Sequence, residues 1–191
     1  MDKMTPIQRS RCMSRIRGKN TKPEILVRKG LHARGFRFRL QDRRLPGRPD
    51  IVLAKYGVAV MVNGCFWHGH KGCRLASRPK SNAEYWEVKI ARNRHRDEVT
   101  AAHLEALGWH VLTVWECELK PSVLEARLDA MADEIRRVGE ARSEAREKVK
   151  LSRAAAKKER EEILKRQAAL EAEINAMFPI PARIRKESIN E

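Results

Sequence analysis

The chain has few acidic residues, few aromatic residues and no long hydrophobic segment. Of its 191 residues, 25 are Asp or Glu against 41 Lys or Arg, and aromatic residues make up 5%. No apolar run reaches membrane-spanning length, and the charged N-terminus is not followed by the apolar segment of a secretory signal. We therefore expect a cytoplasmic protein with no membrane partner, in which the four cysteines are metal ligands or free thiols rather than disulfides.

The basic residues are concentrated in the first part of the chain. Residues 1–121 carry 25 basic and 11 acidic side chains, whereas residues 122–191 carry 16 and 14. A Lys/Arg excess of this size gives sequence-independent affinity for a phosphate backbone, although an anionic membrane surface would attract it too. The charge pattern therefore favours nucleic acid as the partner, bound by the first part.

The first part has the signals of an α/β domain. Capping boxes at residues 21–24 and 81–84 open two helices, of which the second is long. Short apolar or alternating runs indicate strands at residues 36–40, 50–54, 57–62 and 109–115. Helices flanking a mixed sheet of three or four strands give an α/β fold.

From Pro121 onward the chain reads as one long charged helix followed by a disordered tail. The apolar residues of its first turns keep a heptad spacing, but the register decays through Arg142 and Ser152. A solvated helix is thus favoured over a coiled coil, and we expect a monomer, with self-association through this helix as the alternative. We divide the chain into a domain at 1–121 and a helical extension at 122–191.

The segment GCFWHGHKGC, residues 64–73, concentrates sulfur and imidazole donors. Thiolate and imidazole are the preferred ligands of zinc, and four donors form a closed structural site. The candidate ligands are Cys65, His70, Cys73 and Cys117. The spacing after Cys65 also permits His68 in place of His70, so the choice of histidine stays open.

Two carboxylates are candidates for a catalytic magnesium site. Asp50 follows a Pro-Gly-Arg-Pro turn at the start of the hairpin, and Glu24 belongs to a capped helix. Such oxygens suit Mg²⁺ in a phosphodiesterase, and a histidine nearby could activate water. Each acid also has an ordinary explanation, Asp50 in a turn and Glu24 in its capping box.

Three aromatic residues lie in or after the donor-rich segment. Phe66 and Trp67 are adjacent to the candidate ligands, and Trp86 begins the long helix. An apolar wedge held by a metal loop could enter a base stack, at a lower cost where the pair is mismatched. Packing in the core is the competing explanation.

Four ordered motifs resemble the very short patch repair endonucleases, or Vsr proteins. They are LPGRPDIV at 45–52, NGCFWHGH at 63–70, EYWEVKIARNRHRD at 84–97 and LGWHVLTVWECEL at 107–119. The resemblance covers roughly residues 8–120. It implies a restriction-endonuclease-like fold of the PD-(D/E)xK type, a structural zinc, and Mg²⁺-dependent nicking of duplex DNA beside the T·G mismatch left by deaminated 5-methylcytosine.

The resemblance also implies residue roles. Asp50 becomes the Mg²⁺ ligand, His68 the general base and Glu24 an acid that supports the water network. The zinc ligands become Cys65, His70, Cys73 and Cys117, and the intercalating aromatics become Phe66, Trp67 and Trp86. The Vsr pattern has Thr-His where this chain has Val62-Asn63; we expect the Val62 carbonyl to serve Mg²⁺, whereas Asn63 is neither acid nor base.

We therefore predict a nuclease that nicks mismatched double-stranded DNA, with mismatch-repair accessory proteins as candidate partners. Two alternatives remain. The first is a nuclease of the same fold that cuts foreign or modified DNA. The second is a zinc-stabilised DNA-binding protein without catalysis, in which Asp50 and His68 are structural.

Overall fold

The computed structural model describes residues 5–14, 18–79 and 82–177. The helices are α1 (Pro6–Ser14), α2 (Lys22–Ala33), α3 (Ala83–Ala106) and α4 (Leu124–Met177). The strands are β1 (Arg39–Leu40), β2 (Ile51–Leu53), β3 (Val58–Asn63) and β4 (His110–Trp115), and 3-10 turns cover Arg74–Ala76 and Glu116–Leu119. In the described part of the chain, none of the helices is both long and apolar enough to span a membrane.

The strands form one mixed sheet in the order β1-β2-β3-β4. The first two pairs are antiparallel, and the third, β3 with β4, is parallel with Asn63 opposite Trp115. A parallel neighbour requires a crossover, which α3 provides between these two strands. The predicted α/β fold with a mixed sheet and flanking helices is confirmed.

The helix starts agree in part with the predicted capping boxes. At α2 the box is present: Thr21 Oγ1 accepts from Glu24 N at 3.5 Å, and Glu24 Oε1 accepts from Thr21 N at 3.3 Å. At α3 the N-cap is Asn82, which has a φ of 53° and no side-chain cap hydrogen bond. The predicted cap, Ser81, lies outside the described residues.

Strand β1 is shorter than the predicted run at residues 36–40. Phe36 N donates to Leu31 O at 3.1 Å, so the start of the run still belongs to the C-terminal end of α2. The Phe36 ring is buried and meets Tyr56 edge-on at 5.3 Å between centroids. Only Arg39 and Leu40 continue as strand.

Helix α4 begins as part of the core. Leu128, Met131, Ala132 and Ile135 are at most 1% exposed and pack with residues of α2 and the sheet. The apolar heptad positions in the first turns of α4 therefore cover the domain's own core. The compact unit that contains the sheet extends to Arg142, so the composition-based boundary at residue 121 falls inside it.

Glycine permits the close approach of α4 at two points. A Cβ at Gly30 would lie 2.3 Å from Leu128 Cδ1, and a Cβ at Gly139 would lie 2.5 Å from Tyr56 Cδ1. Such distances are far inside van der Waals contact, so a larger residue would force either the opposing side chain or the helix to shift. The second unit, from Ser143 onward, continues α4 with exposed side chains as far as Ile174.

Two isoleucines of α4 test this division. Ile135 is fully buried and Ile163 is 49% exposed. We expect Ile135→Ala to lower the free energy of unfolding by about 2–5 kcal/mol, because it leaves a cavity in the core. Ile163→Ala is the matched control and should change it by less than about 0.5 kcal/mol. Chemical denaturation followed by circular dichroism measures both, and equal losses would contradict the assignment of the core.

Candidate functional site

A cavity of about 740 Å³ opens where β2 begins and β3 ends. Because β2 and β3 are antiparallel, these two points lie side by side, and the start of α2, the loop after β3 and the middle of α3 close the cavity. Its polar lining residues include Thr21, Glu24, Arg43, Arg48, Asp50, Asn63, His68, Arg96, Asp97 and Glu116. The cavity thus brings together the three predicted catalytic side chains.

Asp50 is held at the cavity by the end of β3. Its Oδ2 accepts a hydrogen bond from Val62 N at 2.8 Å, while Oδ1 accepts none from the described residues. Burial raises the pKa of the Asp50 carboxyl, and the negative charge of Glu24 raises it further, against the opposing effect of the Val62 hydrogen bond. A carboxylate in this setting is stabilised by a cation.

Glu24 is 4% exposed, and its two oxygens are already occupied. Oε1 accepts from Thr21 N and from Thr21 Oγ1, the latter at 2.8 Å. Oε2 accepts from Asn20 N at 3.1 Å and forms an ion pair with Arg28. The capping explanation therefore accounts for the position of Glu24, which also places a second negative charge beside Asp50.

His68 is paired with an acid that the sequence reasoning missed. Its Nδ1 meets Asp97 Oδ2, and the two side chains are 21% and 24% exposed. One turn earlier on α3, Asn93 Nδ2 donates to Trp67 O at 2.9 Å and so ties the loop to the helix. Asp97 ends the third Vsr-like motif, but its distance of 29 positions from His68 carries no sequence signal for a contact.

The four predicted zinc ligands lie together. The ligand atoms of Cys65, His70, Cys73 and Cys117 are all within 4.8 Å of one another. His70 Nδ1 is 3.3 Å from Cys117 Sγ and 3.6 Å from Cys65 Sγ. The Trp115 ring stacks on His70 with 4.1 Å between centroids and 4° between planes, which fixes the imidazole.

The donor set fits a bound zinc ion. The three sulfurs belong to free cysteines, and Cys65 is fully buried. Burial raises the pKa of the Cys65 thiol to about 12 and also raises that of Cys117. Thiolates at these positions therefore require a cation, and three sulfurs with one imidazole make a common tetrahedral zinc site. Of the two candidate histidines, His70 lies among the sulfurs and His68 does not.

The predicted intercalating aromatics form one cluster. Phe66 and Trp67 meet edge-on at 5.1 Å, and Trp86 lies 5.1 and 5.8 Å from them. Trp86 is 9% exposed, whereas the other two rings are half-buried. Lys89 Nζ lies 5.8 Å from the Trp86 ring and 6.0 Å from the Trp67 ring. Trp86 is therefore largely covered and packs against the other two rings.

Three arginines stand at the edge of the cavity. Arg43 and Arg48 come from the turn before β2, and Arg96 from α3 next to Asp97. All three are exposed, so their guanidinium groups can pair with an anion without losing an existing buried partner. The net charge of the chain indicated such groups, but not which arginines would line this cavity.

Comparison with known proteins identifies the family. A family model described as DNA mismatch endonuclease Vsr matches residues 1–74. The type II nicking enzyme V.XorIIP of Xanthomonas oryzae pv. oryzae is 49% identical over 133 residues, which are 69% of this chain and 97% of that enzyme. The chain belongs to the Vsr family.

Two further relatives agree with this Vsr assignment. The type II nicking enzyme V.NmeAIP of Neisseria meningitidis is 46% identical over 136 residues, 71% of this chain and 96% of that enzyme. The DNA mismatch endonuclease Vsr of Escherichia coli is 42% identical over 112 residues, 59% of this chain and 71% of that protein. The resemblance predicted from the four motifs is confirmed.

The two histidines of the Vsr loop give a matched test of the metal centre. We expect His70→Ala to lose bound zinc and to lower the melting temperature, because it removes one of the four donors. His68→Ala, two residues earlier, should keep about one zinc ion per chain. Atomic emission on purified protein counts the metal, and Cys117→Ala should behave like His70→Ala. Stoichiometric zinc in either of those two variants would refute the ligand set.

Proposed function

We propose that this Vsr-family protein nicks one strand of duplex DNA beside T·G mismatches left by deaminated 5-methylcytosine, in a reaction that depends on Mg²⁺. One observation carries the proposal: Asp50 and the His68–Asp97 pair line the same cavity. A hard oxygen ligand and a general base in one open site are what phosphodiester hydrolysis requires. The family membership supports the same reaction.

The residues at the cavity suit a divalent cation. Asp50 has Oδ1 without a hydrogen bond from the described residues, and its neighbour Glu24 adds a second negative charge. A cation would offset the burial of Asp50 and the part of the repulsion from Glu24 that Arg28 does not cancel. In our proposal Asp50 and the backbone carbonyl of Val62 would hold Mg²⁺, and the ion would supply electrostatic stabilisation for the phosphate and the leaving 3′-oxygen.

His68 is the proposed general base, and Asp97 positions it. A carboxylate on Nδ1 holds the proton there, so Nε2 is the nitrogen left to accept a proton from the attacking water. The pairing also fixes the ring relative to α3 and limits its rotation. Asn63, 7% exposed at the end of β3, has no titratable group, so proton transfer in this site rests on His68.

The arginines at the cavity are suited to the DNA backbone. A guanidinium group can give two parallel hydrogen bonds to a phosphate, which orients it as well as attracting it. With Arg43 and Arg48 on one side and Arg96 on another, the scissile phosphate would be drawn to the edge where Asp50 and His68 lie.

The aromatic cluster is the proposed mismatch selector. Phe66 and Trp67 are half-buried rings beside His68 in sequence, and Trp86 supports them. Inserting such a wedge between base pairs costs a few kcal/mol, and less at a weakly stacked mismatch. The difference would favour T·G sites over matched duplex.

Three substitutions test the catalytic assignment. Asp50→Asn, His68→Ala and Asp97→Asn should each lower single-turnover nicking of a T·G duplex by at least about tenfold, given the 10²–10⁴-fold contribution typical of general acid–base groups. Because these residues act on the reaction rather than the fold, we expect zinc content and melting temperature to stay at wild-type values. Nicking assays with and without Mg²⁺ provide the measurement. For Asp97→Asn, an unchanged affinity for DNA with a lower rate would distinguish positioning of His68 from loss of structure.

The same assay distinguishes the competing functions. Nicking restricted to T·G duplexes supports the proposal. Equal cutting of T·G, matched and methylated duplexes would show a nuclease with another target. Tight binding without nicking in Mg²⁺ would show a DNA-binding protein without catalysis.

Substitutions in the aromatic cluster test mismatch selection separately. Trp67→Ala should reduce the preference for T·G over matched duplex by about tenfold or more, since it removes about 1–3 kcal/mol of base stacking. Trp86→Ala should mainly lower stability because that ring is mostly covered. Competition binding with both duplexes and thermal melting measure the two effects. An unchanged preference in Trp67→Ala would remove the wedge from the mechanism.

A further inference from the structure

The second unit of the chain carries a one-sided row of cations on α4. Between Ser143 and Arg160 there are seven Lys or Arg residues and three Glu residues, and all are exposed. Five of the cations follow one another at alternating spacings of four and three residues: Arg146, Lys150, Arg153, Lys157 and Arg160. We call this set the basic stripe.

Helical geometry places the basic stripe on one face. At 3.6 residues per turn its members fall within an arc of roughly 80° and extend over about 21 Å of the helix axis. The three acidic residues of the same segment, Glu144, Glu147 and Glu159, fall outside that arc. The nearly balanced charge of residues 122–191 therefore conceals a purely cationic face.

Few acidic side chains neutralise the positive charge of the basic stripe. Lys150 and Lys157 form exposed ion pairs with Glu147 and Glu161 at 3.5 and 3.9 Å. Such pairs on a helix surface contribute only a few tenths of a kcal/mol and exchange easily for a stronger anion. Within residues 5–14, 18–79 and 82–177, no ion pair involves Arg146, Arg153 or Arg160.

We propose that the basic stripe binds the phosphate backbone of the duplex that this protein cuts, and that it adds affinity independent of sequence. The inference rests on the proposed function for the nature of the polyanion. A straight row of cations about 21 Å long complements a surface that carries one negative charge per 1.7 Å of helix axis. Arg, which makes up three of the five members, also pairs with phosphate through two hydrogen bonds at once.

One nicking enzyme of the family is shorter than this chain. The Xanthomonas enzyme uses 97% of its length to match 133 residues, which are 69% of this chain, so it has no counterpart for most of the remaining residues. Part of this chain is therefore additional to what that relative contains.

The test compares two triple substitutions with equal loss of charge. The stripe variant carries Arg146→Gln, Arg153→Gln and Arg160→Gln. The control carries Lys148→Gln, Lys158→Gln and Lys165→Gln, which remove exposed cations of the same helix outside the arc. Binding of the full chain to matched and to T·G 40-base-pair duplexes is measured over a range of salt concentrations.

If three phosphate contacts are lost, the slope of log K against log salt should fall by about 2.7 in magnitude for the stripe variant. Its affinity should drop equally for matched and mismatched duplexes, whereas the control variant should change the slope much less. Equal changes in the two variants, or none in either, would overturn the proposal. Loss of binding to phosphatidylglycerol vesicles with DNA binding intact would assign the stripe to a membrane surface and would also overturn it.

Nicking separates this inference from the proposed function. With enzyme saturating, the stripe variant should cut a T·G duplex at the wild-type rate, because none of the stripe residues is among those assigned to catalysis. A wild-type protein that binds DNA with the predicted salt dependence but cuts no duplex would refute the proposed function and leave the stripe assignment supported.

Discussion

The parallel pairing of β3 with β4 is the constraint on which the site depends. It places Asn63 opposite Trp115, so β3 and β4 end side by side. Cys65 follows Asn63 by two residues, and Cys117 follows Trp115 by two residues. Sulfur atoms far apart in sequence are thereby brought within reach of one metal ion. This candidate metal centre closes the loop after β3, and His68 lies inside that loop between Cys65 and His70. In the proposed mechanism, zinc would therefore help to position the base.

Much of this could be predicted from local sequence because the relevant signals are local. The ligand spacing from Cys65 to Cys73, the capping box at Thr21 and the apolar runs of the hairpin each act within a few residues. Asp97 could not be found in this way, since its contact with His68 depends on how α3 packs over the loop. The local sequence of a helix does not indicate which distant residue a given side chain will contact.

For helix α4 the prediction from composition was misleading, because the high content of charged residues hid a role in core packing. Its many charged residues resemble a solvated extension, yet every third or fourth side chain up to Ile135 is apolar and enters the core. Composition averages over all faces of a helix, whereas burial concerns one face. The same averaging concealed the basic stripe further along. Trp86 was grouped with the intercalating aromatics because of its residue type, which does not indicate burial, and its ring is largely covered.

The cavity is assembled from segments that are separate in the chain, and this limits when the protein can act. Glu24, Asp50, His68 and Asp97 come from α2, the start of β2, the metal loop and α3. The metal loop, residues 64–73, depends in turn on Cys117, which follows β4. A growing or partly unfolded chain therefore lacks the complete cavity in which we propose that the reaction takes place. The proposed nicking activity would accordingly arise only after the chain has folded through β4 and Cys117.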